Sequence, residues 1–155
     1  MIRSALTALL ILTCGPALAL SCIAPTIEDA FAFARDSEDG YLPVQGHFEG
    51  FAIRPQDKSP EPDDREFNAR FVGHVVTGHG KGRALNLEVH VTERCLASWC
   101  GALPPNVDLL TFLRRDDQGY HFEIGPCGGN AFSEPTRVMT NKLSQCLRDM
   151  ACAPG

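Results

Sequence analysis

The chain has 155 residues, 44% hydrophobic and 21% charged, with a mean hydropathy of −0.09. That balance is globular: it excludes a collagen-like, coiled-coil or wholly disordered chain, and the length suits one domain rather than two. A formal net charge of −5 argues against a nucleic-acid partner, because such binders usually carry a basic patch.

The first segment reads as a secretory signal peptide. Arg3 is its only positive charge, Ala5 to Leu12 is apolar apart from Thr7, and Gly15-Pro16 precedes Ala17-Leu18-Ala19, a small-x-small cleavage pattern. The run is too short for a membrane anchor, which needs about 20 apolar residues. Cleavage after Ala19 leaves residues 20–155 as a single periplasmic or secreted domain. Losing Arg3 makes it one charge more negative. Cys14 also goes, and six cysteines remain: Cys22, Cys95, Cys100, Cys127, Cys146 and Cys152. An even count in an exported chain predicts three disulfides, among fifteen possible pairings.

Pro25-Thr26 opens a helix over 27–34. Thr26 can cap it, Glu28 and Asp29 suit its first turn, and Ile27, Ala30, Phe31 and Ala34 share one face. Asp36 to Gly40 has the carboxylate density of a calcium loop but not its alternating ligand positions, so it reads as a solvated turn. A strand follows with Leu42, Val44, Gly46, Phe48, Gly50 and Ala52 on one face, its glycines suggesting a barrel corner. Residues 54–66 read as a long exposed loop.

The second strand turns Phe67, Ala69, Phe71, Gly73 and Val75 inward, and the third Leu85, Leu87, Val89 and Val91. Gly78 to Gly82 lacks the context of a phosphate loop and reads as the hairpin turn between them. A one-residue slip would expose a whole apolar face, so odd positions must pair with odd. A loop centred on Gly80 then sets Thr77 against Arg83, Arg70 against His90 and His74 against Asn86. Residues 95–106, with two cysteines, Trp99 and Pro104-Pro105, form a constrained loop. Val107 to Leu113 is a more continuously apolar strand. Asp116 to Gly119 turns the chain into a last strand with Tyr120, Phe122 and Ile124. A C-terminal helix starts near Pro135, with Met139, Leu143, Cys146, Leu147 and Met150 as its buried stripe. Helix, five strands, helix predicts a mainly β, five-stranded Greek-key barrel of the OB type; a meander sheet under one helix is the alternative.

One order of residues resembles a known family. Cys22-Ile23-Ala24-Pro25 precedes a helix with Ala30-Phe31 and Ala34, then a strand with Val44-Gln45-Gly46. Leu109-Leu110-Thr111-Phe112-Leu113, a hairpin and Pro126-Cys127-Gly128-Gly129 come later. This is similar to the netrin-like domain and to tissue inhibitors of metalloproteinases, including bacterial relatives. The resemblance implies an OB barrel whose N-terminal cysteine is tied to its far end, here Cys22 to Cys127. The inhibitors begin their mature chain with cysteine; here Leu20-Ser21 precedes Cys22, and no cysteine follows two residues later. Their inhibitory mechanism is therefore not carried over. Short spacing favours Cys95–Cys100 and Cys146–Cys152, with Cys146 bonded to the barrel or to Cys22 as the rival.

Cys95 and Cys100 lie near His90, which raises zinc, but export and the missing second half of a four-ligand motif favour a disulfide. His47, His74, His90 and His121 fall at outward positions, and nothing in the sequence makes them converge. No metal or cofactor site is assigned. Gly-x-Ser-x-Gly, His-Glu-x-x-His and Ser-x-x-Lys are all missing, so an enzyme is not the first expectation. Trp99, flanked by Ser98 and Cys100, is the only tryptophan, a residue enriched in binding hot spots. The leading expectation is an exported binding module, inhibitor-like or envelope-associated. It would grip a protein or envelope component through Leu96, Ser98 and Trp99 and the segment at Cys22. A small periplasmic hydrolase and a metal-handling protein using surface histidines are the alternatives.

Overall fold

Alternation along three long strands is what closes this chain on itself. The computed structural model describes residues 22–23, 25–55, 59 and 61–152. Residues 1–19, expected from the sequence to be a signal peptide, lie outside them. Helix α1 spans Ile27–Asp36 and α2 Arg137–Asp149. The barrel strands are β1 (Gly40–Glu49), β2 (Arg65–Thr77), β3 (Gly80–Glu93), β4 (Leu109–Asp116) and β5 (Gly119–Ile124). Their order is β1-β2-β3-β5-β4, and β4 returns to pair with β1. All neighbours are antiparallel except β3 and β5, which run parallel. This is the five-stranded Greek-key barrel of the OB type, and the closure excludes a meander. A two-residue strand, Phe132–Ser133, lies along the start of β4, and Cys95–Leu96 pairs with Trp99–Cys100 as a separate hairpin.

β1 is the closing strand because it pairs on both edges, with β4 over Gly40–Gly46 and with β2 over Val44–Glu49. Gly46 lies opposite Gly73 at the overlap. A Cβ on either glycine would run into the backbone of the other strand. The predicted corner is therefore real, although β1 ends at Glu49, before Gly50 and Ala52. Val44, Phe48, Phe71, Val89, Val91, Leu109 and Leu113 fill the interior.

A second core lies outside the barrel wall. Ile27, Ala30 and Phe31 of α1 meet Leu143 and Cys146 of α2 over Leu110 and Phe112 of β4. Both faces of β4 are thus covered, which is why its sequence is continuously apolar instead of alternating. The Thr26 hydroxyl accepts from the Asp29 amide at 3.1 Å, and the Asp29 carboxylate accepts from the Thr26 amide at 3.0 Å. This reciprocal box satisfies two otherwise orphaned donors at the helix start.

Three expectations are corrected. Odd positions of β2 and β3 do face one another, but Arg70 opposes Glu88, not His90, and His74 opposes Ala84, not Asn86. Thr77 pairs with Gly80 rather than Arg83. The turn holds only Gly78 and His79, and a bulge between His74 and Val76 absorbs the extra residue. That bulge lets Val75 pack in the barrel while Val76 packs under the helices. Met150 is not in the α2 stripe: it caps the helix in the left-handed region at φ 50° and is 65% exposed. Finally, residues 54–66 are not wholly exposed, because β2 begins at Arg65 and the Arg54 side chain is largely buried.

Candidate functional site

Register across four strands builds a transverse polar row on the outer face. Asn68 of β2 lies beside His90 of β3, His90 beside His121 of β5, and His121 beside Arg114 of β4. The two imidazole centres are 5.7 Å apart with the rings edge to face. His121 Nε2–H donates to Asp116 Oδ1 at 2.9 Å, and Arg114 holds Asp116 Oδ2 at 2.9 Å. His90 Nδ1–H donates to Asn68 Oδ1 at 3.2 Å, and Glu66 Oε2 stands 3.6 Å from His90 Nε2.

His90, His121 and Arg114 of this row line a cleft of about 800 Å³. Phe33, Tyr41, Glu66, Leu96 and Cys127 line it too. The cleft opens because β4 and β5 pair only from Arg114 and His121 towards their hairpin, and β5 then turns to β3. Burial raises the Asp116 carboxyl, but the Gln118 amide, the His121 ring and Arg114 together hold it below its ordinary value. Arg94 at the cleft edge bridges Glu123 at 3.0 Å and Asp64 at 2.9 Å. Both carboxylates push its pKa up, and Arg94 with the Cys95 amide holds Asp64 low.

This chain of charges anchors the neighbouring hairpin. The Cys95 amide donates to Asp64 Oδ1 at 2.7 Å, and the Gly101 amide to the Arg94 carbonyl at 2.8 Å. Cys95 and Cys100 are disulfide-bonded and face each other across the hairpin, so they form no zinc site. Ala97, at φ 51°, and Ser98 make its turn. Leu96 and Trp99 oppose one another, each 59% exposed. Cys22 is exposed and bonded to Cys127, and Cys146 is bonded to Cys152.

Beneath the hairpin lies a cluster that sequence reasoning missed. Glu93 ends the inner face of β3 and is 1% exposed. Its Oε2 is 3.6 Å from Nη1 of both Arg54 and Arg65, and its Oε1 accepts from the Leu103 amide at 2.9 Å. Arg54 also donates to the Asp63 carbonyl, and Arg65 to the Ala52 carbonyl at 2.6 Å. The cluster joins the loop after β1, the start of β2 and the loop after the hairpin. The signal was present: Glu93 continues the odd, inward series of Leu85, Leu87, Val89 and Val91.

Of the four histidines, only His90 and His121 come together. His47 stands 3.9 Å from Glu49, and His74 lies beside Gln45 on β1. Among the described residues, no group of three or more His, Cys, Asp or Glu side chains could hold a metal ion. The Asp36–Gly40 segment joins α1 to β1, and Asp36 is spent on Arg35 at 2.7 Å, so it remains a turn.

By fold, then, the described residues form a mainly β, five-stranded OB-type barrel flanked by two helices and carrying three disulfides. No protein-family model, curated protein or solved structure matches the chain.

Proposed function

We propose that this protein is an exported, netrin-like binding module that grips a protein or envelope component with its Cys95–Cys100 hairpin and the adjoining rim at Cys22. One observation carries the reading: Leu96 and Trp99 stand side by side, more than half exposed, on a covalently closed hairpin. A rigid loop loses little entropy on association, so its apolar contacts contribute nearly in full. Three disulfides suit an oxidising compartment, periplasmic or extracellular. No described helix is long and apolar enough to cross a membrane.

The test pairs folding with capture. Trp99→Ala changes stability by no more than about 0.5 kcal/mol in thermal melts, because the ring buries little. The same variant loses the partner that wild-type protein captures from an envelope extract, a binding loss of about 2 kcal/mol or more. A large fall in melting temperature, or an unchanged set of captured proteins, sinks the reading.

The cleft favours a second reading, a small hydrolase. His121 with Asp116, and His90 near Glu66, are acid–base pairs in a concave site. The Thr111 hydroxyl is committed to the Asn130 carbonyl at 3.0 Å. Water activated by an imidazole is therefore the nucleophile in this reading. Turnover of simple carboxylic or phosphoric esters that disappears in folded His121→Ala identifies it; no turnover by wild type removes it.

A further inference from the structure

The two ends of the barrel are finished differently. At one end the inner series of β3 stops at Glu93, which is matched by Arg54 and Arg65. At the other end Arg83 lies two residues before buried Leu85, on the same face of β3. The inner series of β4, Leu109 and Leu113, likewise ends on Arg115. Arg115 stands in register between Gly40 of β1 and Tyr120 of β5. Leu42 and Tyr120 pack on the barrel core just within the rim. Arg83, Arg115, Gly40, Tyr41, Leu42 and Tyr120 line one hollow of about 400 Å³ at this mouth. Barrel mouths are recurrent ligand sites.

The charges in this hollow are not balanced. The chain has 19 acidic residues against 14 lysines and arginines, so acids are plentiful. Yet Arg83 and Arg115 make no ion pair or hydrogen bond among the described residues; Arg115 only lies over the Tyr120 ring, 5.9 Å from its centre. Of the described cations, Lys81 and Arg137 alone share that condition. Asp116 also lines the hollow, but its carboxylate already accepts from Arg114, His121 and the Gln118 and Gly119 amides. Asp39 and Asp117, close by in sequence, pair with neither arginine.

We infer that this hollow binds a phosphate dianion, free or as the monoester of a small organic alcohol, with Arg83 and Arg115 as its counter-charges. A guanidinium fork matches the oxygens of a phosphate, and two forks answer two negative charges, which a monocarboxylate does not carry. Gly40 has no side chain to fill the space beside Arg115, and a Cβ built there meets only the Arg115 carbonyl, at 3.7 Å. Leu42, Tyr41 and Tyr120 give an ester's organic part an apolar and aromatic floor. The site rests on neither reading proposed above, and it lies apart from the Cys95–Cys100 hairpin, none of whose residues lines it.

The experiment is calorimetric titration of the disulfide-intact protein with phenyl phosphate, inorganic phosphate and benzoate in turn. It is run in low salt near pH 7.5, where a phosphate monoester, with its second pKa near 6, is a dianion. Wild type binds one equivalent of phenyl phosphate, and benzoate at least about tenfold more weakly. Tighter binding of phenyl phosphate than of inorganic phosphate identifies an ester as the ligand; equal binding identifies the free ion. Arg83→Gln and Arg115→Gln each weaken binding at least about tenfold, the loss of one charge-assisted contact. Arg137→Gln, which removes an unpaired cation outside the hollow, binds as wild type does. Circular dichroism checks the fold of every variant, and lysine replaces glutamine where a variant fails to fold. Unsaturable or absent binding by wild type, benzoate binding as tightly as phenyl phosphate, or full binding by a folded Arg83→Gln/Arg115→Gln variant overturns the site.

Discussion

Glu93 and His90 sit three residues apart on the same strand and meet opposite fates. Glu93 points inward, is closed off from water and is held between Arg54 and Arg65. His90 points outward, in the row with Asn68 and His121, and stays accessible from the cleft. Strand parity alone separates them. A charge on the inner face must be matched by buried partners and so becomes part of the structure. A titratable group on the outer face costs little to keep and remains free for chemistry.

That contrast breaks first at Glu93. Glu93→Ala strands two buried guanidinium groups and the Leu103 amide, and should lower stability by about 3–5 kcal/mol in urea unfolding. Glu93→Gln keeps an acceptor for Leu103 and should cost less; equal losses would mean the charge, not the hydrogen bond from the Leu103 amide, holds the loops. Next comes the seam of the barrel. Gly73→Ala drives a methyl group into the β1 backbone and should cost about 1–3 kcal/mol, or prevent closure altogether.

A smaller effect lies in pH. Burial, and then Lys81, hold His74 below its ordinary 6.5, while Asp108 works the other way. The unfolded chain therefore takes up a proton near pH 6.5 that the folded chain refuses, and stability rises with pH through that window. Melting temperature should fall between pH 7 and 5.5, and His74→Gln should flatten the fall. Asp64 and Asp116, held below 3.8, contribute above that value, and their contribution is lost as pH drops through their folded values. Smallest of all, His90→Ala should change stability by no more than about 0.5 kcal/mol. A larger loss would mean the outer row is as structural as the inner cluster.

The barrel was legible because its determinants are periodic. Alternation in β2 and β3 gave the inner face, and the glycines of β1 marked a corner that Gly46 and Gly73 share. The β2–β3 register was only half legible: parity follows from the apolar pattern, but the bulge after His74 is settled by what Val76 meets beneath two helices. Exposure of Leu96 and Trp99 follows from their short disulfide loop. The meeting of His90 with His121 was not legible, because it depends on a parallel pairing between distant strands that neither strand encodes by itself. Glu93 could have been read as inward; its partners could not, since Arg54 comes from a segment whose composition looks solvated.

The bond between Cys22 and Cys127 gives the chain a property that its folded shape does not show. It turns everything from α1 to the end of β5 into one covalent ring. A protease that cuts this ring once, anywhere between the two cysteines, releases no fragment. Nicked protein should therefore run as a single band on a gel without reductant and split into two when thiol is added. Such a nick also frees two new chain ends without dispersing the strands. The protein can thus be cut, or opened to accept an inserted sequence, and still travel as one molecule for as long as its surroundings remain oxidising.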